Sequence, residues 1–430
     1  MSTRPLSRPR PLYATCDSGA ESALAAELTK LRCAQIEPAH RGVYFWGSEV
    51  DLWRVNIYSR LANRILIPLS EFRASTREEL YAECKKVRWD WWVHTSQTIA
   101  VDASSHESQL HHTHFISQVV KDAVVDQLRE RFDERPSVDA KDPDLPINAR
   151  IAHDTCTLSL DASGARLHRR GYRIEGGPAP LKETLAALLN HLIEWRPHEP
   201  LIDLTCGSGT LVIEAALRAQ MIPPGWWRAE RQTFAFQRWR AHSTHRFNTW
   251  WEGTSRPPPL TANLWGSDLD QRQISRARNN SRRAGVENTI QWHVGDFNEQ
   301  AEHAARWLDK IHSSGSGPSA PTNRRAVLLM NLPYGQRLNG TPDTKYGHAS
   351  SLDDHSASEL SEQEIQALEA STRGFFRDLG AQLKSHFKGC EAWLLVGERS
   401  PWREIGLKPQ QQIALRNGPL KVKLVQIPIY

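Results

Sequence analysis

Leu201-Ile202-Asp203-Leu204-Thr205-Cys206-Gly207-Ser208-Gly209-Thr210 decides the fold. A short apolar strand runs into a glycine-rich turn, and Leu211-Val212-Ile213-Glu214-Ala215-Ala216-Leu217 continues as a helix. Strand–turn–helix units of this kind build α/β proteins, which bind ligands beyond the carboxyl ends of parallel strands. The glycines let the backbone pass close to a ligand. Val212 stands where the third glycine of a dinucleotide fingerprint would fall, and the turn lacks the Lys of a triphosphate-binding loop. Asp203, just ahead of the glycines, would repel a pyrophosphate but can hold the ammonium group of an amino acid. The turn therefore favours a ligand such as S-adenosylmethionine over NAD.

Three further strand ends extend the pattern. Leu264-Trp265-Gly266-Ser267-Asp268 reads as a strand ending in an acid, and Asp268 can bond the two hydroxyls of a ribose. Ile290-Gln291-Trp292-His293-Val294-Gly295-Asp296-Phe297 ends likewise, and Asp296 can accept from an adenine amine. Ala326-Val327-Leu328-Leu329-Met330 reads as a buried parallel strand that runs directly into Asn331-Leu332-Pro333-Tyr334-Gly335. This last group suits chemistry on a flat exocyclic amine. The Asn331 side-chain oxygen and the Leu332 carbonyl can accept the amine's two protons. Pro333 fixes the backbone so that the carbonyl points correctly, and the Tyr334 ring can stack on the base. Each group also has a plainer reading, a strand-ending turn for residues 331–335 or solvated surface for a lone Asp. Four strand-terminal groups in the order of a single site outweigh it.

Asp203 to Thr210, Asp268, Asp296 and Asn331 to Gly335 together resemble the motifs of class I (Rossmann-like) S-adenosylmethionine-dependent amino-methyltransferases. The resemblance implies cofactor contacts from Asp203, Thr205, Cys206, Gly207, Ser208, Gly209, Thr210, Asp268, Asp296 and Phe297. It implies catalytic roles for Asn331, Leu332, Pro333 and Tyr334. Upstream, Leu158-Ser159-Leu160-Asp161-Ala162-Ser163-Gly164 and Leu167-His168-Arg169-Arg170-Gly171-Tyr172-Arg173 resemble the junction after a THUMP domain. Lys182-Glu183-Thr184 and Asn417-Gly418-Pro419-Leu420 match the same group, the THUMP-containing RNA guanine-N2 methyltransferases, and within it the bacterial 23S rRNA type. Leu332 departs from the pattern, because many members carry a first Pro there; only its carbonyl is needed, so activity is expected to survive. A fused second methyltransferase domain is expected to be absent, since the sequence stops at Tyr430.

The implied partner is RNA, 23S rRNA or a large-subunit precursor, in the cytoplasm. Three other readings stay open: a tRNA guanine-N2 methyltransferase, an adenine-N6 methyltransferase, and an RNA-binding assembly factor without catalysis. Oligomeric state and target nucleotide are not legible.

Composition agrees with these expectations without demanding them. A chain of 430 residues holds two or three domains, and 39% hydrophobic residues supply ordinary cores. A net charge of +5 permits a nucleic-acid partner. The six cysteines form no C-x-x-C pair, which argues against a zinc site or a disulfide framework. His106, His111, His112 and His114 lack an acid or Cys at ligand spacing, so no metal is expected. No apolar run approaches a membrane span.

Residues 1–10 read as a disordered basic tail. Residues 11–75 show a β-α-β-α-β order that fits a ferredoxin-like unit. The resemblance assigns 76–165 to an RNA-binding THUMP domain, with a helix over 115–132 (buried stripe Phe115, Val119, Val120, Ala123, Val124, Leu128) and a hairpin turning at His153-Asp154. Residues 166–180 form a basic linker in which Arg169, Arg170, Tyr172 and Arg173 can contact phosphates and stack on a base, or simply face solvent. Residues 181–430 form the methyltransferase domain, with a seven-stranded, mostly parallel sheet and an antiparallel last strand. Within it, residues 225–260 hold five Trp and six Arg. Arg228 and Arg231 there are candidate RNA contacts, while the Trp rings are expected to pack the insert onto the sheet. Residues 313–322 read as flexible, and 336–360 as a candidate lid.

Overall fold

The strand Gly42–Gly47 alternates sharply: Val43 and Phe45 are fully buried, while Tyr44 and Trp46 face solvent. It belongs to the first of two units. The computed structural model describes residues 6, 8–173, 181–254, 258–313, 325–332 and 362–430. Unit one comprises Met1–Gly171 with Pro223–Pro257, and unit two Tyr172–Ile222 with Pro258–Tyr430. Pro333, Tyr334, the candidate lid and most of the flexible segment lie outside the described residues, as does most of the basic tail.

Unit one opens with β1 (Arg10–Thr15), α1 (Glu21–Lys30), β2 (Ala34–Ala39), β3 (Gly42–Gly47), α2 (Glu49–Tyr58) and β4 (Arg64–Arg73). This is the β-α-β-β-α-β order of a ferredoxin-like unit. β2 is one strand more than the expected β-α-β-α-β order; it is an edge strand with mostly exposed side chains and a Pro at position 38, so its sequence has no alternation. Then come α3 (Arg77–Lys85), β5 (Thr98–His106), α4 (Thr113–Phe132), β6 (Ser137–Val138), β7 (Leu145–Ala152) and β8 (Thr155–Asp161). β8 pairs antiparallel with both β4 and β7, giving one eight-stranded sheet in the order β2-β3-β1-β4-β8-β7-β5-β6. The β7–β8 hairpin turns at His153 and Asp154, both at positive φ, as a two-residue turn of type I′ requires. On α4 the buried stripe starts at Ile116; Phe115 is exposed, one residue off the expected face.

The Trp/Arg insert supplies α7 (Trp226–Glu230) and α8 (Thr244–Glu252) to unit one, not to the methyltransferase sheet. Trp53 of α2 packs edge-on against Phe247 at 5.3 Å and lies 5.6 Å from the Trp250 ring. Trp239 meets Trp92 at 5.7 Å. Gly225 sits so close to α2 that a Cβ there would come within 2.8 Å of Ile57 Cα. The expectation that these rings cover the methyltransferase sheet is thus corrected: Trp250 and Trp239 meet Trp53 and Trp92, more than a hundred residues upstream of Asp203.

Unit two contains α5 (Glu183–Leu192), β9 (Leu201–Asp203), α6 (Thr210–Ala219), β10 (Leu264–Asp268), α9 (Gln271–Arg283), β11 (Ile290–Val294), α10 (Phe297–Ser313), β12 (Val327–Asn331), α11 (Glu362–His386), β13 (Glu391–Gly397), β14 (Gln411–Asn417) and β15 (Leu420–Pro428). The sheet order is β11-β10-β9-β12-β13-β15-β14, with β9 to β13 parallel and β15 antiparallel to both of its neighbours. This is the seven-stranded arrangement read from the sequence. Ala301, Ala304 and Leu308 of α10 and Phe376, Leu379 and Leu383 of α11 share one core with Ile202, Leu328, Met330 and Leu394. Among the described residues, no helix is long and apolar enough to cross a membrane.

Candidate active site

The strand order reverses between β9 and β12, and the four motifs lie at the carboxyl ends of β9, β10, β11 and β12. Such a crevice is where open α/β sheets bind ligands. Asp203 ends β9 with its carboxylate buried, accepting the Thr205 amide at 3.1 Å. Burial pushes its pKa up to about 8, helped by the negative charge of Asp268 and opposed by the Thr205 hydrogen bond. The Cys206 amide donates to the Ser267 carbonyl at 2.9 Å, which holds the turn against β10. Gly207 and Gly209 both take positive φ, and Gly209 is the N-cap of α6.

A Cβ on Gly207 would meet nothing within 4 Å, so this part of the turn is open. A Cβ on Gly209 would lie 2.6 Å from the Trp292 ring, and one on Gly266 only 2.4 Å from it. Trp292, which has no expected role from sequence, is thus wedged beneath the turn and fixed by its indole N–H on Ser281 Oγ at 3.3 Å. Asn280 Nδ2 reaches the Ser208 carbonyl at 3.2 Å and ties the turn to α9. Neither contact has a signal in a single sequence.

Asp268 accepts the Gly207 amide at 2.8 Å on one oxygen and the Asp270 amide at 3.0 Å on the other. Each oxygen keeps a second lone pair for a ligand hydroxyl. Asp296 accepts the Asn298 amide at 2.9 Å and its side-chain amide at 2.7 Å, both on Oδ1, and leads into α10. Phe297 packs edge-on against Phe375 at 5.3 Å, so its ring serves the core beside the site. Asn331 closes β12 opposite Leu395, and the Leu332 amide donates to the Leu395 carbonyl at 3.1 Å. The Leu332 side chain is fully buried in the core. Asn331 Oδ1 is buried and accepts no hydrogen bond among the described residues. An acceptor left open at a strand's carboxyl end can take a donor from a ligand. Carboxylates, an open turn and an orphan acceptor together fit a ligand bearing an ammonium, a diol and amines.

Profiles of known families match along the chain: an RlmL ferredoxin-like domain over residues 11–66, a THUMP domain over 74–161, and an RMKL-like methyltransferase domain over 170–346. The chain is 34% identical to slr0064 of Synechocystis sp., named as a candidate RNA methyltransferase, over 98% of this chain and 97% of that protein. The chain belongs to the THUMP-containing RlmL-type methyltransferase family. It is also 34% identical to the ribosomal RNA large subunit methyltransferase K/L of Syntrophotalea carbinolica, over 98% of this chain but 54% of that protein. The chain thus spans about half the length of the K/L relatives it matches. Among solved structures, SMU.472 complexed with SAH superposes with a TM-score of 0.75 at 27% identity, covering 99% of each chain.

Four of the residues read as RNA contacts are occupied within this family fold. Arg170 is buried and donates to the carbonyls of Leu167 at 2.8 Å and Arg60 at 2.6 Å. Arg228 is buried, donates to the carbonyls of Ser163 at 2.6 Å and Ala165 at 3.0 Å, and lies over the Phe234 ring. The Tyr172 hydroxyl is buried and donates to Glu214 at 3.1 Å. Arg173 bonds the Thr210 hydroxyl and the Leu181 carbonyl. These four hold the chain in place. Arg169 and Arg231 are exposed.

Proposed function

We propose that this chain is an S-adenosylmethionine-dependent RNA methyltransferase acting on the N2 amine of a guanosine, in 23S rRNA or a large-subunit precursor in the cytoplasm. The orphan acceptor Asn331 Oδ1 carries the reading. SAH in SMU.472 and the names of the K/L relatives support the cofactor and the substrate class. Bound S-adenosylmethionine would supply an electrophilic methyl group. Asp203 would hold its ammonium, Asp268 its ribose hydroxyls and Asp296 its adenine amine, with the glycine turn giving access.

The N2 lone pair of guanine is delocalised into the ring and weakly nucleophilic. Asn331 Oδ1 and the Leu332 carbonyl would accept its two N–H groups and aim the lone pair. Pro333 and Tyr334, by the sequence reading, would fix the carbonyl and stack on the ring. Most of the rate gain is then positioning, worth about 7–11 kcal/mol when orientation is good. The base must leave its stack to reach the strand ends.

The test is methyl transfer from labelled S-adenosylmethionine to unmodified 23S rRNA, 16S rRNA and tRNA, followed by nucleoside analysis. N2-methylguanosine in 23S rRNA is expected. N6-methyladenosine, or label confined to tRNA, would replace the proposed target. No label in any RNA would end the methyltransferase reading.

Asp203 adds a pH prediction. Its folded pKa, about 8, lies above the unfolded value, so the cofactor-free protein keeps a proton there at neutral pH and loses stability as pH rises toward 8. An ammonium partner needs the ionised form, so cofactor binding releases a proton. Affinity should rise by up to about tenfold per pH unit between about pH 6 and 8. Titration calorimetry in buffers of different ionisation enthalpy should detect the proton. A profile that stays unchanged in Asp203→Asn would remove Asp203 from this role.

A further inference from the structure

The outer face of β1 and β3 contributes no residue to the site described above. Tyr44 and Trp46 are 38% and 42% exposed, although their neighbours Val43 and Phe45 are completely buried. Tyr13 of β1 stands directly opposite Tyr44 in the antiparallel register, with ring centroids 4.5 Å apart. Paired residues share a face, and residues two apart on a strand lie on that face about 7 Å from each other. Tyr13, Tyr44 and Trp46 therefore form one aromatic surface on the two middle strands of the order β2-β3-β1-β4. The other face of these strands is closed by core residues such as Leu12 and Phe45 with Leu24, Leu28 and Leu52 of α1 and α2.

The same side of the sheet continues through the buried residues Leu66, Asp161 and Ser159 to exposed arginines. Tyr13 opposes Leu66, Leu66 opposes Asp161, and Ser159, two residues back, opposes Asn148. Arg150, two beyond Asn148, is exposed on the same side. Arg166 and Arg169, also exposed, lie within electrostatic reach of Arg64, which shares the face. Glu37 and Asp102 are acids on the same side, opposite Tyr44 and Asn148. Exposed rings with guanidinium groups further along the same side of the sheet match a chain of flat bases joined by phosphates, and a two-ring spacing on one strand admits successive bases.

We propose that the outer face of β1 and β3, through Tyr13, Tyr44 and Trp46, is a stacking platform for a single-stranded RNA segment. It deepens the function proposed above and rests on RNA being the substrate. Phosphates of the segment run toward Arg150, Arg166 and Arg169. The platform adds affinity and placement and leaves cofactor binding untouched.

The test uses the full chain and a fluorescein-labelled single-stranded RNA of about 12 nucleotides, read by anisotropy. Each lost ring should weaken binding on the order of tenfold, so Tyr44→Ala/Trp46→Ala should lose about a hundredfold. Tyr44→Phe/Trp46→Phe, which keeps the stacking faces, should bind within about threefold of the parent. S-adenosylmethionine affinity should be the same in all three. Binding unchanged in the double Ala variant would leave the rings to a protein partner and overturn the platform alone. Equal losses in the Ala and Phe variants would overturn it too. A parent chain that binds no single-stranded RNA and labels none would overturn both the platform and the proposed function.

Discussion

Asn331→Ala is expected to lower kcat for RNA methylation by about 10²–10³-fold, the loss typical when one preorganised hydrogen-bonding group is removed from a reacting centre. S-adenosylmethionine affinity should stay within about twofold, because Asp203, the glycine turn and Asp268 are untouched. The folded protein should not weaken. In a stabilising Asn the side-chain oxygen would accept from the protein, whereas Asn331 Oδ1 is buried and accepts nothing among the described residues. Leaving such an acceptor unsatisfied costs about 1–3 kcal/mol, which its removal returns in part. The thermal midpoint should therefore hold or rise while kcat falls. If the midpoint drops and the activity per folded molecule survives, Asn331 is a strand-end structural residue and the catalytic assignment is wrong.

The same atom shows what a sequence can and cannot convey. Asn331 and the run before it were legible because an apolar run buried on both faces of a parallel sheet has a composition of its own. The Gly207–Gly209 turn was legible because positive φ selects glycine, and both residues adopt it. The β7–β8 hairpin followed from alternation. β2 was not legible, since an exposed edge strand has no buried face to alternate with. The roles of Arg170, Tyr172, Arg173 and Arg228 were misread for a related reason. A cluster of guanidiniums looks alike in sequence whether it meets phosphates or backbone carbonyls, and here Arg170 and Arg228 cap carbonyls of residues 60, 163, 165 and 167. Trp292 supports the turn from another strand, so its importance exists only in three dimensions.

That support gives Gly209→Ala a large expected effect on the fold of unit two. Gly209 has φ 83°, where an L-residue costs about 1–2 kcal/mol. The new Cβ would also lie 2.6 Å from the Trp292 ring and 3.0 Å from Ala277 Cβ. The ring cannot retreat toward β10, because Gly266 already presses on it from that strand. Overpacking of this kind costs about 1–3 kcal/mol, so a total loss of roughly 2–5 kcal/mol is expected in denaturant unfolding. The turn would shift and weaken the bond from the Gly207 amide to Asp268, so cofactor affinity should fall as well. Gly207→Ala is the control. It meets nothing within 4 Å and should cost only the backbone share, about 1–2 kcal/mol. Trp292→Leu makes room, and its pairing with Gly209→Ala should be less destabilising than the sum of the two changes, by on the order of 1 kcal/mol. Strict additivity would show that the ring and the turn are not in contact in solution, and the geometry assigned to this part of the site would fall with it.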